Sequence, residues 1–332
     1  MSSSPAAASP PAAPADGATL EPGAIRAADG YALPLRRWGP PGDEAVAVVL
    51  GLHGLNDYSN GLAVVAEQLA AAGIATYAYD QCGFGATRDA GRWPGAERLV
   101  DDAETALALL RRRHPEAPLY LLGQSMGAAV ATILAAERGL GPAAGLVLVA
   151  PALWACETMP WYQRLGLRLS ARLPGRLQVS SAMIAIEPTD NPRILAAMRD
   201  DPLIQRWTRL DVLEGVTGLM GRALAASAAL YAPALVLYGE HDRVIPPAPI
   251  RAMLRCLPPR PPGRWRLALY PDGYHMLTRD RQGERVNADI ATWLTAPRGA
   301  PLPSGLELDR EAALERLGKR RRRPRLPRLL SR

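Results

Sequence analysis

The sequence has 332 residues, of which 48% are hydrophobic and 21% charged, so the chain can bury a sizeable core and is not intrinsically disordered. Its formal net charge of +7 would suit a nucleic-acid partner if the charge were spread over the surface. Eight of the positive charges, however, lie in residues 319–332, which hold no acid. Without these eight of the 39 Lys and Arg, 31 basic side chains remain against 32 acidic ones, so the body of the protein is nearly neutral.

Cysteine usage and the N-terminus bear on the compartment. Cys82, Cys156 and Cys256 lie far apart with no CxxC pair, which predicts neither a disulfide framework nor a zinc site. Residues 1–16 lack the basic and apolar regions of a secretory signal, and no uninterrupted apolar stretch reaches the roughly eighteen residues of a membrane span. We therefore expect a cytoplasmic protein without metal or cofactor, and leave peripheral contact with the inner face of the membrane open.

From about Thr19 onward, apolar runs of strand length alternate with helical patterns. In chain order the pattern predicts strand 45–53, helix 62–72, strand 74–80, helix 96–113, strand 118–123, helix 128–138, strand 145–150, strand 234–238, helix 247–257, strand 265–270 and helix 281–294. The strands at 45–53 and 145–150 are apolar without alternation, as expected for strands that are covered on both faces. This order predicts an α/β fold with a mostly parallel sheet flanked by helices.

The alternation of predicted strands and helices is absent at both ends of the chain and in one internal segment. Residues 1–18 are rich in Ala and Pro and are predicted to be disordered. Residues 153–229 read as helices and loops without a buried strand, and we interpret them as a helical cap inserted into a main domain of residues 19–298. Residues 299–332 are predicted to form a linker, a short amphipathic helix over 308–317 and the basic tail.

The predicted strand that ends at Leu122 leads into Gly123-Gln124-Ser125-Met126-Gly127 and then into a helix. This G-x-S-x-G pattern between a strand and a helix is typical of a nucleophile elbow, in which the serine lies on a sharp, strained turn. The pattern alone is weak, but its position makes Ser125 a strong candidate for a nucleophile. The competing interpretation is an ordinary glycine-rich turn with a serine cap.

A serine nucleophile needs a base, and the base needs an acid that orients it. Of the four histidines, only His275 follows a late predicted strand in a glycine-containing loop that leads into a helix. For the acid we choose Asp242, in the loop after strand 234–238, over its neighbour Glu240 and over Asp272, which more plausibly shapes the turn beside His275. The chain order Ser125, Asp242, His275 is that of α/β-hydrolases.

An acyl-transfer site also needs donors for the developing oxyanion. Gly54 would let the chain bend after strand 45–53, so that the amide of Leu55 points inward beside that of Met126. His53 is then expected to close the strand end and not to serve as the base.

Five motifs lie in register along the chain: His53-Gly54, 79–85 (Tyr-Asp-Gln-Cys-Gly-Phe-Gly), 123–127, 238–242 (Tyr-Gly-Glu-His-Asp) and 273–275 (Gly-Tyr-His). Together they resemble the monoacylglycerol lipase and lysophospholipase branch of the α/β-hydrolases, also called serine aminopeptidase-like, over roughly residues 25–295. The resemblance implies the α/β-hydrolase fold with its cap after the sixth strand. It also implies Ser125 as nucleophile, His275 as base, Asp242 as orienting acid, and an oxyanion hole formed by the amides of Leu55 and Met126.

Two departures from that branch concern the substrate. There the segment after His-Gly carries acidic and Arg side chains that approach the glycerol end, whereas this chain has Asp57 for the carboxylate and Gly61 at the place of the Arg. Cys82 replaces the common Arg of the Asp-x-Arg-Gly-x-Gly turn and is interpreted as a small buried residue. Substrate contacts are predicted for Asp57, His53, Trp154 and Trp161.

We expect a serine hydrolase that cleaves carboxylic esters of lipid-like substrates, of monoacylglycerol or lysophospholipid type. The first alternative is an aminopeptidase-like amide hydrolase, in which acidic cap residues would receive a substrate ammonium; the candidates are Glu187, Asp190, Asp200 and Asp201. An alternative of another class is a protein that binds anionic membranes or nucleic acid through residues 319–332. The basic cap segment 161–173 is a second candidate for contact with a membrane surface. No sequence-specific nucleic acid is expected, and the acyl length and oligomeric state are not predicted.

Overall fold

The computed structural model describes residues 17–41, 44–154, 177–180, 187–259 and 265–319. Its strands are β1 (Thr19–Glu21), β2 (Ala24–Arg26), β3 (Ala32–Trp38), β4 (Ala47–Leu52), β5 (Ile74–Tyr79), β6 (Leu119–Gln124), β7 (Gly145–Val149), β8 (Gln178–Ser180), β9 (Trp207–Arg209), β10 (Ala234–Gly239), β11 (Trp265–Tyr270) and β12 (Glu307–Leu308). Its α-helices are α1 (Ala63–Ala71), α2 (Ala96–Arg113), α3 (Met126–Ile133), α4 (Pro192–Asp200), α5 (Leu210–Ala226), α6 (Pro247–Cys256), α7 (Gly283–Thr295) and α8 (Arg310–Lys319).

A central sheet of ten strands has the order β1-β2-β3-β5-β4-β6-β7-β10-β11-β12. The strands from β5 through β11 in this order are parallel, whereas β1, β2, β3 and β12 pair antiparallel at the two edges. The predicted mostly parallel sheet with helices is therefore confirmed. In such a sheet the loops that carry function gather at the carboxyl ends of the parallel strands.

The sheet separates two apolar layers, and alternate residues of one strand enter different layers. On β4, Val48 and Leu50 belong to the layer that contains α2, α3, α5 and α6. Val49 belongs to the opposite layer, with α1 and α7. Each residue of β4 is buried, which explains why its sequence is apolar without alternation.

Three details differ from the sequence-based prediction. The short strands β1 to β3 precede the first predicted strand, so seven strands come before residue 153, the predicted start of the cap. Short strands at a sheet edge carry too few residues for a periodic signal. The cap also contains an antiparallel ribbon of β8 and β9, where Val179 pairs with Thr208.

The two ends of the described chain join the main domain. Ala18, at the limit of the predicted disordered segment, is buried in the core, while residues 1–16 lie outside the described residues. At the other end, β12 pairs with β11, and the α8 residues Ala313 and Leu317 are buried in the same apolar layer as α6. The predicted helix over 308–317 thus corresponds to α8, and residues 320–332 lie outside the described ranges. Among the helices of the described ranges, none has the length and apolar character needed to cross a membrane.

Candidate active site

Ser125 occupies the turn between β6 and α3, with φ of 54° and ψ of −114°. A positive φ is uncommon for a residue other than glycine and costs on the order of 1–3 kcal/mol, so the surrounding structure must hold it. The Ser125 amide donates to the carbonyl of Val149 at 2.9 Å, and the Ser125 carbonyl accepts from the amide of Ala152 at 3.1 Å. These bonds anchor the turn to the end of β7.

The two outer glycines of the G-x-S-x-G motif are required by close packing. A Cβ on Gly127 would collide with the backbone carbonyl of Leu52 at the end of β4, and one on Gly123 would collide with the start of α3. Neither glycine has a positive φ, so space and not backbone conformation explains both residues.

His275 lies between Ser125 and Asp242. Its Nε2 is 2.9 Å from the Ser125 Oγ, and its Nδ1 is 2.8 Å from Oδ2 of Asp242. The other carboxylate oxygen of Asp242 accepts the amides of Val244 and Ile245, each at 2.8 Å. The structure thus brings the three predicted residues together, and backbone donors fix the carboxylate that faces the imidazole.

The two acids that competed with Asp242 lie elsewhere. Glu240 pairs with Arg316 of α8, Oε1 to Nε 2.5 Å, and Asp272 is exposed to solvent. A further acid near the histidine, Asp280, was not singled out in the sequence. It accepts the Tyr274 amide at 2.6 Å, and burial raises its pKa from 3.8 to about 6.

The turn after β4 brings a second group of atoms to the serine. The amide of Asp57 donates to the Gly54 carbonyl at 3.3 Å, and a Cβ on Gly54 would lie 3.3 Å from that of Ser125. Leu55 and Met126 line the same cavity as Ser125. Within the described ranges, the amides of these two residues have no protein acceptor, so both remain able to bind a substrate oxygen.

His53, predicted to contact the substrate, does not line the cavity. It is buried, its Nε2 accepts the Gln81 amide at 2.9 Å, and its Nδ1 lies 2.8 Å from the carbonyl of Gly54. Burial also lowers its pKa. Both ring nitrogens are therefore engaged by backbone atoms, in keeping with the expected place of His53 at the strand end.

The cavity beside Ser125 has a volume of about 820 Å³ and a mostly apolar wall. Residues of α5 supply part of this wall. The sequence did not single them out, because apolar residues at every third or fourth position of a helix equally predict packing against the core. The apolar lining of the cavity includes Leu55, Met126, Trp154, Val216, Met220 and Ile245. A cavity of this size and polarity suits an acyl chain.

The remaining predicted substrate contacts have different outcomes. Trp154 and Asp57 both line the cavity. The Asp57 carboxylate is paired with Arg279, a residue that the sequence pattern did not single out. Trp161 lies outside the described residues. Cys82 is buried with a raised pKa caused mainly by burial, consistent with a small core residue.

No cluster of three or more His, Cys, Asp or Glu side chains suited to a metal ion occurs within the described ranges. A hydroxyl, an imidazole and a carboxylate in this arrangement can act as nucleophile, base and orienting acid.

The chain is similar in sequence to known proteins. The family model described as "Serine aminopeptidase, S33" matches residues 43–282. A monoacylglycerol lipase of Mycolicibacterium smegmatis is 27% identical over 263 residues, which cover 78% of this chain and 91% of that protein. The human monoglyceride lipase is 29% identical over 230 residues, covering 65% of this chain and 72% of that protein.

Solved structures show the same architecture. The monoacylglycerol lipase of Paleococcus ferrophilus superposes with a TM-score of 0.66 at 23% identity, covering 80% of this chain and 98% of that one. A soluble variant of the Saccharomyces cerevisiae monoglyceride lipase gives 0.66 at 19% identity, covering 85% and 95%. These neighbours define the fold as that of the α/β-hydrolases. Within that class, the chain belongs to the serine aminopeptidase S33 family.

Proposed function

We propose that this protein is a serine ester hydrolase that acts on lipid-like substrates of monoacylglycerol or lysophospholipid type. The observation that carries the proposal is the hydrogen-bonded series of Ser125, His275 and Asp242, of which Ser125 and His275 line an apolar cavity of about 820 Å³. The relatives named monoacylglycerol lipase and monoglyceride lipase support the same substrate class.

The reaction follows from the roles proposed for these residues. The Ser125 oxygen attacks the ester carbonyl carbon while His275 takes the hydroxyl proton, and the Leu55 and Met126 amides donate to the oxyanion. The tetrahedral intermediate expels the alcohol, which receives that proton from His275, and leaves an acyl group on Ser125. Water, deprotonated by His275, then releases the fatty acid and restores the serine.

An amide hydrolase is the alternative within the same family. A pocket for a substrate ammonium requires an acidic group that is free to receive it. Within the described ranges, the four acidic cap candidates do not line the cavity: Glu187, Asp190, Asp200 and Asp201. The cavity carboxylate of Asp57 already pairs with Arg279. These contacts favour the ester substrate.

A substrate panel tests the proposal. We expect the purified enzyme to hydrolyse monoacylglycerols and p-nitrophenyl esters, and Ser125→Ala to lose this activity by about 10³-fold or more. Aminoacyl p-nitroanilides should be poor substrates. A clear preference for the anilides would reject the ester assignment, and equal rates for wild type and Ser125→Ala would reject the proposed nucleophile.

We also propose that residues 319–332 give the enzyme a salt-sensitive attraction to anionic lipid surfaces. Eight positive charges in fourteen residues attract such a surface by counterion release and Coulomb forces. The basic cap segment 161–173 was interpreted in the same way and lies outside the described residues.

A further inference from the structure

A buried ion pair joins the turn after β4 to the turn that follows His275. Nη2 of Arg279 donates to Oδ2 of Asp57 at 2.6 Å across 222 positions of sequence. The two side chains are 7% and 8% exposed, and both residues line the cavity. The proposed reaction gives neither residue a role.

Each partner is also fixed within its own turn. The Asp57 amide donates to the Gly54 carbonyl, which closes the turn that carries Leu55, and Oδ1 of Asp57 accepts the Tyr58 amide at 2.9 Å. The Arg279 amide donates to the Met276 carbonyl at 2.8 Å, directly after His275. The ion pair therefore connects the backbone that presents the Leu55 amide to the backbone that presents the imidazole.

Gly61 explains how the carboxylate fits. A Cβ at this position would overlap the carboxylate of Asp57, so only glycine leaves room for it. The guanidinium that pairs with this carboxylate comes from Arg279, in the turn that follows His275.

The cap contacts both turns close to this pair. The amide of Gln205 donates to the Asn56 carbonyl at 3.0 Å, and Nδ2 of Asn191 donates to the Arg279 carbonyl at 3.1 Å. The cap and the ion pair therefore contact the two turns at the same or neighbouring residues.

We propose that Asp57 and Arg279 are positioning residues that set the Leu55 amide and His275 at the separation the reaction needs. This inference rests on the proposed function. Removal of one partner leaves a buried charge without compensation, which forces the turns to shift toward water or another partner. A displacement of about 1 Å at a catalytic group lowers the rate by up to about a hundredfold.

A contact between the pair and the alcohol part of the substrate would have a different consequence. It would alter KM for glycerol esters and leave esters without hydroxyls unaffected. p-Nitrophenyl butyrate has no such hydroxyl, so this substrate separates positioning from head-group binding.

The experiment measures kcat and KM of Arg279→Met, Asp57→Asn and Arg279→Lys on p-nitrophenyl butyrate. We expect kcat of the first two to fall about tenfold to a hundredfold while KM stays within about twofold, and Arg279→Lys, which keeps the charge, to recover part of the loss. Unchanged kcat, or a change confined to KM, would overturn the proposal.

Arg98→Met is the matched control, since it breaks the Arg98–Asp102 ion pair, in which Asp102 is buried, away from the cavity. It should lower the melting temperature and leave kcat unchanged. If Arg98→Met lost as much kcat as Arg279→Met, the effect of Arg279→Met would be explained by a general loss of stability.

The double variant Asp57→Leu/Arg279→Met restores an uncharged interior and is expected to fold while kcat remains low. Full kcat in this variant would contradict positioning. Fluorophosphonate labelling of wild-type Ser125 tests the proposed function separately.

Discussion

Nδ1 of His275 lies 2.8 Å from Oδ2 of Asp242, and the second oxygen of that carboxylate accepts two backbone amides. The two amides hold Oδ1 while the imidazole contacts Oδ2, so the carboxylate cannot turn without losing hydrogen bonds. Because the carboxylate only accepts, these contacts favour the His275 tautomer with its proton on Nδ1, and Nε2 can then accept a proton from Ser125.

Asp242→Asn should therefore lower kcat by about 10⁴-fold, because the amide favours the wrong tautomer of His275. The melting temperature should change little by comparison. Glu240→Gln and Asp272→Asn are the matched controls, since Glu240 pairs with Arg316 and Asp272 is exposed to solvent. Steady-state kinetics on a soluble ester decides the assignment, and a larger loss in either control than in Asp242→Asn would move the role to that residue.

Gly127→Ala should destabilise the fold by about 1–3 kcal/mol, since its methyl group would overlap the Leu52 carbonyl. Gly218→Ala on α5 is the control: nothing lies within 4 Å of a Cβ there, and alanine in a helix should add about 0.5–1 kcal/mol. Urea unfolding followed by circular dichroism measures both. Equal stability of the two variants would argue against close packing at the elbow.

Val216→Phe should shift the preference toward shorter acyl chains, because Val216 lines the cavity and the larger ring takes up part of its volume. We expect kcat/KM to fall about tenfold for p-nitrophenyl laurate and to stay nearly constant for the acetate. Glu214→Phe places the same ring on the exposed side of α5 and should leave the preference unchanged. A chain-length profile of Val216→Phe identical to wild type would show that acyl chains bind elsewhere.

Asp280→Asn should change how stability depends on pH. Burial raises the pKa of Asp280 to about 6, so between about pH 4 and 6 the folded protein holds a proton that the unfolded chain releases. Stability of the wild type is therefore lost as the pH rises through this window, by about 3 kcal/mol. The asparagine variant lacks this loss.

The measurement is the difference in melting temperature between Asp280→Asn and wild type at pH 4 and pH 7. The melting temperature of the variant relative to that of the wild type should be higher at pH 7 than at pH 4. The groups that act on Asp280 are Thr189, Asp190 and His275, together with the Tyr274 amide. The exposed Asp272→Asn should show no such shift, and a pH-independent difference for Asp280→Asn would contradict the raised pKa.

Truncation after Gly318 should leave hydrolysis of p-nitrophenyl butyrate unchanged, because the Arg316 contact with Glu240 is retained. Binding to vesicles that contain phosphatidylserine should weaken, and the salt dependence of binding should become shallower. Co-sedimentation at low and high salt measures this. Equal vesicle binding with and without residues 319–332 would refute the role of the tail.

Sequence reasoning predicts most of the central sheet, because β4, β5, β6, β7, β10 and β11 are mostly apolar runs of strand length. It fails for β1 to β3 and for the β8–β9 ribbon, whose three to seven residues are only partly buried and give no clear period.

The residues of the candidate site likewise divide into those that the sequence predicts and those that it does not. The positions of Ser125, Asp242 and His275 at strand ends were predictable from local pattern and order. The pairing of Arg279 with Asp57 was not, since contacts between distant residues leave no trace in a single sequence. The place of His53 in the backbone network likewise depends on Gln81, which lies 28 positions away.

Fluorophosphonate labelling followed by intact-mass and peptide mass spectrometry tests the central claim most directly. We predict one adduct per chain, on the peptide that contains Ser125, no adduct on Ser125→Ala, and slowed labelling of His275→Ala. An adduct on another residue, or equal labelling of wild type and Ser125→Ala, would contradict the assignment of Ser125 as the nucleophile.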